Sequence, residues 1–194
     1  DIDDDVNKIL VVAIVTFPLA FEGPRRKKQA EEGINELRKY VDSIIIINND
    51  KLRDFGNMKM SEAFAKADNV LLTAAKGIAE IITVEGYVAV DFRDVNTVMA
   101  NSGTALMGAG VAKGDNRASE AIELASTSVL LNDNDISGAK NILLYFSYSS
   151  DCEITMDEID TVTNYIANLT GGETDIIWGM GPDEELGENL SITL

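Results

Sequence analysis

Asp91-Phe92-Arg93-Asp94 sets two carboxylates three residues apart, a spacing that suits chemistry. Held on a turn, such a pair orients a water or a cation. The same residues have a plainer use, in which Asp91 caps the following helix and Asp94 favours its positive end. A second group lies earlier in the chain. Glu22-Gly23-Pro24-Arg25-Arg26 follows one apolar strand and Asn49-Asp50 follows another. The carboxyl ends of parallel strands are where open α/β sheets bind ligands. Arg25, Arg26, Lys27 and Lys28 are the main basic cluster, either a solvated helix face or a phosphate contact. Phe64 and Asp68 are i and i+4 at the start of a long helix. There Phe64 either packs into the core or stacks on a base that Asp68 hydrogen-bonds. Met107 to Gly114 carries Gly108, Gly110 and Gly114 without the G-x-G-x-x-G fingerprint, and reads as a strand ending in a turn of positive φ.

Composition narrows the chemistry. There is no histidine, and Cys152 is the single cysteine. Zinc sites built on Cys/His clusters, Ser-His-Asp or Cys-His catalysis and an intrachain disulfide are therefore excluded. With 16 Lys and Arg against 33 Asp and Glu, the formal charge is −17. That argues against sequence-independent nucleic-acid binding and against anionic membrane surfaces. No stretch is apolar enough over its length to span a bilayer, and the acidic run Asp1 to Asp5 is unlike a secretory signal. The plain reading is a soluble cytoplasmic protein.

The elements that must position these residues follow from hydrophobic periodicity. Ile9 to Thr16 predicts a strand buried on both faces, Arg25 to Tyr40 a helix and Ser43 to Ile47 a second buried strand, together a βαβ unit. The stripe Phe64, Ala67, Leu71, Ala74, Ile78 and Ile81 predicts a helix over 61–82, long and apolar enough to sit between two bodies. Beyond it the pattern changes from α/β to α+β. A helix is expected over Phe92 to Asn101, a strand over Thr104 to Gly108, a helix over Arg117 to Ser126 and a strand over Asn141 to Tyr148. Thr155 to Glu158 has capping-box spacing for a further helix that Gly171-Gly172 ends. Asp175 to Gly179 and Leu190 to Leu194 read as closing strands. The division is 1–60, a partial Rossmann-like half; 61–85, the long helix, with the boundary near Glu85-Gly86; and 86–194, an α+β domain. The chain reads as cut at both ends.

Taken in order, several segments resemble the FtsZ branch of the tubulin/FtsZ family. They are Val15-Thr16-Phe17-Pro18 with Phe21-Glu22-Gly23, then Asn49-Asp50-Lys51-Leu52, Ala63-Phe64 with Ala67-Asp68-Asn69-Val70-Leu71, and Val90 to Val95. Ala105 to Gly110 with Gly114 and Arg117-Ala118, then Gly138-Ala139-Lys140, complete the set. The resemblance covers essentially the whole chain and is to the C-terminal half of the family. It implies a tubulin-like fold: a partial nucleotide-binding half, a core helix and a C-terminal α+β domain.

It also implies a GTPase that polymerises head to tail into the bacterial cytokinetic ring, at the division site in the cytoplasm. By that resemblance Glu22, Arg26, Asn49, Phe64 and Asp68 contact GTP, while Asp91 and Asp94 act catalytically on the neighbouring subunit's nucleotide. GTP or GDP with Mg2+ belongs to the intact protein. This stretch alone is expected to be inactive and to hold no cofactor tightly, with no dedicated metal site. Partners are further subunits, and division proteins bound through a tail that is absent here; nucleic acid and direct membrane insertion are not expected. Three departures stand out. The glycine-rich G-G-G-T-G-T-G segment is not in the sequence, Ala89 replaces the usual asparagine, and Phe17 stands where lysine is common. Two other readings stay open: an interaction module without its own GTPase activity, and a small flavodoxin-like ligand-binding enzyme.

Overall fold

The computed structural model describes residues 9–55, 59–84, 86–100, 102–128, 136, 138–172 and 174–194. The first sheet begins with β1 (Val12–Phe17), passes through α1 (Pro24–Leu37) and returns as β2 (Ser43–Asn48). The two strands are parallel, with Val12 opposite Ser43 and Phe17 opposite Asn48. Pro24 at the first helical position suits its fixed φ, and Gly23 supplies the φ of 94° that turns the chain into the helix. β3 (Gly103–Ala105) then pairs in parallel with β2. This corrects the placement of a strand over 104–108 in the later body. After its helices the chain returns to the open side of β2, where Ser102 Oγ meets Ser43 Oγ at 3.1 Å.

Burial follows from that order. β2 is the middle strand, and Ile44, Ile45 and Ile47 are buried. β1 lies at the edge of the described sheet and is half-buried rather than buried on both faces, with Ile9 and Val11 exposed just before it.

α2 (Met60–Thr83) runs for 24 residues, about 36 Å at 1.5 Å per residue. Ala67, Val70, Ala74 and Ile81 form its buried stripe. They share one apolar cluster with Ile45, Ile47 and Leu52 of the first sheet's side and with Tyr145 of a second sheet. The helix is thus wedged between two sheets, as its periodicity predicts. α3 (Phe92–Met99) follows; it stops short of the expected Asn101, which like Glu85 lies outside the described residues.

The second sheet contains β4 (Ala109–Lys113), β5 (Asn141–Tyr148), β6 (Asp175–Pro182) and β7 (Asn189–Thr193), in the order β4-β7-β5-β6. β5 and β6 are parallel, while β7 is antiparallel to both β4 and β5. α4 (Arg117–Ser126) and α5 (Met156–Thr170) cover one face, and Ile122, Leu144, Phe146, Val162, Ile166 and Ile192 are the centre of that core. The glycine run is, as expected, a strand that ends in a turn of positive φ, with β4 as the strand and Gly114 as the turn. Gly110 lies within β4, where a Cβ would come 2.6 Å from Ala125 N, so α4 rests directly on the strand's backbone. In that run only Gly114 takes a positive φ, 93°. The capping box of α5 forms as its sequence predicts, with Thr155 N donating to Glu158 Oε2 at 2.8 Å and Glu158 N to Thr155 Oγ1 at 3.3 Å.

Candidate functional site: two half-sites at opposite ends of one helix

Phe17 and Asn48 are register partners, so the loops after β1 and β2 leave the same sheet edge. Side-chain to backbone bonds hold them together. Asp50 Oδ1 accepts from Ala20 N at 2.8 Å, and Asn48 Oδ1 accepts from Asp50 N at 3.0 Å. Glu22 Oε1 accepts from Leu19 N at 2.9 Å, and its other oxygen lies 3.8 Å from Arg26 Nε. Both side chains of that pair are solvated, so it adds about 0–1 kcal/mol at most. Asn49 Oδ1 is buried and has no partner among the described residues. An unsatisfied acceptor costs about 1–3 kcal/mol, and a ligand donor placed there would recover it.

The start of α2 reaches this edge because Leu52 packs with Ala67 and Val70. Phe64 is 51% exposed and so is not part of the core, which removes the packing explanation for it. Asp68, one turn further, is exposed as well. An exposed ring beside an exposed carboxylate can stack on a planar base and accept from its N–H groups. The basic cluster on α1 is largely a solvated face. Lys28 pairs with Glu32 at 3.8 Å, and Lys27 sits 5.9 Å above the Phe17 ring.

The second half-site is the turn before α3. Asp91 is the N-cap, its Oδ1 accepting from Arg93 N at 3.1 Å, and Asp94 Oδ2 accepts from Asp91 N at 3.2 Å. Capping is therefore real. Asp91 is exposed and Asp94 half-buried, so capping does not withdraw the pair from solvent. Ala89, beside them, is exposed.

Of the residues singled out in the sequence, Glu22, Arg26, Asn49, Phe64 and Asp68 belong to elements that meet at the first sheet's edge. Asp91 and Asp94 do not join them. They follow the far end of α2, about 36 Å from its start. Asp50 was named only as part of the loop after β2; its tie to Ala20, 30 residues earlier in the chain, has no local sequence signal. Arg117 was also missed as an anchor. It is buried, with Nε 2.6 Å from Glu158 Oε1 and further bonds to the carbonyl oxygens of Cys152 and Glu153 at 3.0 Å each. The paired guanidinium holds the Glu158 carboxyl below its ordinary range, and Glu158 raises Arg117 in turn.

Two family models match this chain: the GTPase domain of the tubulin/FtsZ family over residues 2–57 and the C-terminal domain of the FtsZ family over residues 103–194. The cell division protein FtsZ of Buchnera aphidicola subsp. Acyrthosiphon pisum is 45% identical over 188 residues, 96% of this chain and 48% of the relative. The chain belongs to the tubulin/FtsZ family. FtsZ of Porphyromonas gingivalis is 42% identical over 96% of this chain and 41% of its own length. Among solved structures, an FtsZ dimer from M. jannaschii, described as empty, superposes with a TM-score of 0.85 at 38% identity, over 95% of this chain and 53% of that one. CetZ1 of Haloferax volcanii, described as a GDP-bound monomer, shares the fold at 17% identity, with a TM-score of 0.74 over 94% of this chain and 53% of that one. The chain thus spans about half the length of these relatives. The tubulin/FtsZ architecture accounts for both sheets and for α2 between them.

Proposed function

We propose that this chain is the C-terminal part of a cytoplasmic GTPase that assembles head to tail at the bacterial division site, each subunit lending a catalytic turn to its neighbour's nucleotide. The observation that carries this reading is the separation of the two half-sites along α2. Residues suited to a base and ribose gather at one end, and the paired carboxylates follow the other. A turn so far from its own chain's nucleotide edge can act only on a nucleotide brought by another copy, and repetition of that contact builds a filament.

In this reading Phe64 stacks on the base, Asp68 accepts from its N–H groups, and Asn49 Oδ1 accepts a donor from the nucleotide. Glu22 and Arg26 contact it from the β1 loop. Asp91 and Asp94 orient and polarise the attacking water, since phosphoryl transfer to water depends mainly on positioning and electrostatics. Among the described residues no group of three acidic or cysteine side chains gathers that could hold a metal ion. A magnesium ion would be carried largely on the nucleotide's own phosphates, where it neutralises charge. Residues 1–60, 61–85 and 86–194 serve as nucleotide-side half, connecting helix and neighbour-side domain, with β3 returning to the first sheet.

Phe64→Ala in the full-length chain tests the base platform. Loss of one stacked base costs about 1–3 kcal/mol, so GTP affinity should fall roughly fivefold to a hundredfold with an unchanged melting temperature. Unaltered affinity would remove Phe64 from the site. An interaction module without GTPase activity is separated by turnover itself, which it would lack in the full-length chain.

A further inference from the structure

The carboxylate turn is seated on the second sheet through glycines. Met180 N donates to Val88 O at 2.9 Å, an isolated antiparallel bridge that lays the segment after α2 along β6. At three places the approach leaves no room for a Cβ. One at Gly86 would fall on the Met180 carbonyl. One at Gly179 would fall on a methyl of Val90 and 2.9 Å from Val88 O. One at Gly181 would fall on the Tyr145 hydroxyl and 3.0 Å from a methyl of Val84.

None of these glycines has a positive φ, so the backbone conformation does not demand them; the space does. Val90 is buried at 6% exposure and directly precedes Asp91. On the other side of the carboxylate pair, Val95 and Met99 fix α3 in the same apolar cluster. The turn is therefore clamped from both sides, and one jaw of the clamp is the bare backbone of β6. The Tyr145 hydroxyl is buried without a partner among the described residues, and burial pushes its pKa up. It fills the space a side chain at Gly181 would need.

We propose that Gly179 and Gly181 of β6 are positioning residues for catalysis: they let Val84 and the Gly86–Val90 segment lie against the second sheet and so set where Asp91 and Asp94 stand. This rests on the catalytic reading of that pair. Gly179→Ala pushes Val90, and with it Asp91, off the strand, whereas the nucleotide edge at the other end of α2 is untouched. The expected result in the full-length chain is a fall in kcat of about tenfold or more, since displacements of about 1 Å cost that order, with GTP affinity unchanged. Adding Val90→Ala removes the closer of the two clashes, with Val88 O still 2.9 Å away, and should return part of the lost kcat. Tyr145→Phe should likewise rescue Gly181→Ala.

A second readout does not need turnover. In the 194-residue chain, amide exchange over residues 86–95 should accelerate in Gly179→Ala and slow again when Val90→Ala is added. Normal kcat in both folded glycine variants, or loss of kcat that neither second substitution restores, would overturn the proposal. Restored exchange protection without any turnover in the unsubstituted full-length chain would uphold the seating of the turn and reject the catalytic reading instead.

Discussion

Asp91→Asn and Asp94→Asn in the full-length chain should each lower GTP turnover per polymerised subunit by about a hundredfold or more, while polymer mass stays near normal. Each aspartate makes a capping bond, so the substitution must separate capping from catalysis. Asparagine caps as well as aspartate, and losing the charge near a helix N-terminus costs only about 0.3–1 kcal/mol. Helix α3 therefore persists, held also by the buried Val95 and Met99. A carboxylate that acts on a charge-developing transition state contributes far more than one that caps, on the order of 10²–10³ in rate for a single well-placed group. GTP binding uses the opposite end of α2, so assembly should outlast hydrolysis. Near-normal turnover in both variants would reduce the pair to a helix cap.

Glu158→Gln should destabilise the C-terminal domain by about 3 kcal/mol or more near neutral pH, because breaking a buried pair strands the remaining charge. In a chain of this size that lowers the melting temperature by roughly 6–12 °C. Arg117 lies in the first turn of α4, where the helix dipole opposes a cation, and it is buried there. What holds it is Glu158 together with the carbonyls of Cys152 and Glu153. Glu158 is depressed below its ordinary value chiefly by hydrogen bonding to Arg117. Its contribution is therefore complete above the unfolded-state value of about 4.3 and is lost as pH falls through the lower folded-state value. The gap between native and Gln protein should be widest near neutrality and narrow once pH falls below the unfolded-state value of about 4.3. Arg117 is raised further above any working pH and adds no slope of its own. A gap that stays constant from neutral to acid pH would show that the pair is not electrostatically coupled to folding.

Much of this architecture is legible in local sequence. The stripe on α2, the Thr155–Glu158 box and the apolar run of β2 each specify their element by period or cap, and the structure has them where those signals lie. What local pattern does not carry is long-range pairing. β3 is three residues long, and its partner β2 lies nearly sixty residues earlier, so nothing near Gly103 says which sheet it joins. The half-burial of β1 likewise depends on which strands flank it. The role of Gly110 was hidden for a related reason: a glycine needed for space looks the same in sequence as one needed for a turn, and here α4 lies across it. Of the candidate site, the Asn49 and Glu22 loops were readable because both follow strand ends. The exposure of Phe64 was not, since a ring at the edge of an apolar stripe is compatible with core or solvent.

The carboxylate turn of one copy should serve the nucleotide edge of another. Mixing two inactive full-length variants addresses it directly. One carries Asp91→Asn with Asp94→Asn and keeps its nucleotide edge; the other carries Phe64→Ala with Asp68→Ala and keeps its turn. Each alone should hydrolyse GTP poorly. Mixed in equal amounts, they should recover a substantial share of native turnover, dependent on co-assembly, because the second variant's turn completes the first variant's site. Turnover of the mixture equal to the sum of the separate rates, with co-assembly confirmed by sedimentation, would contradict the account.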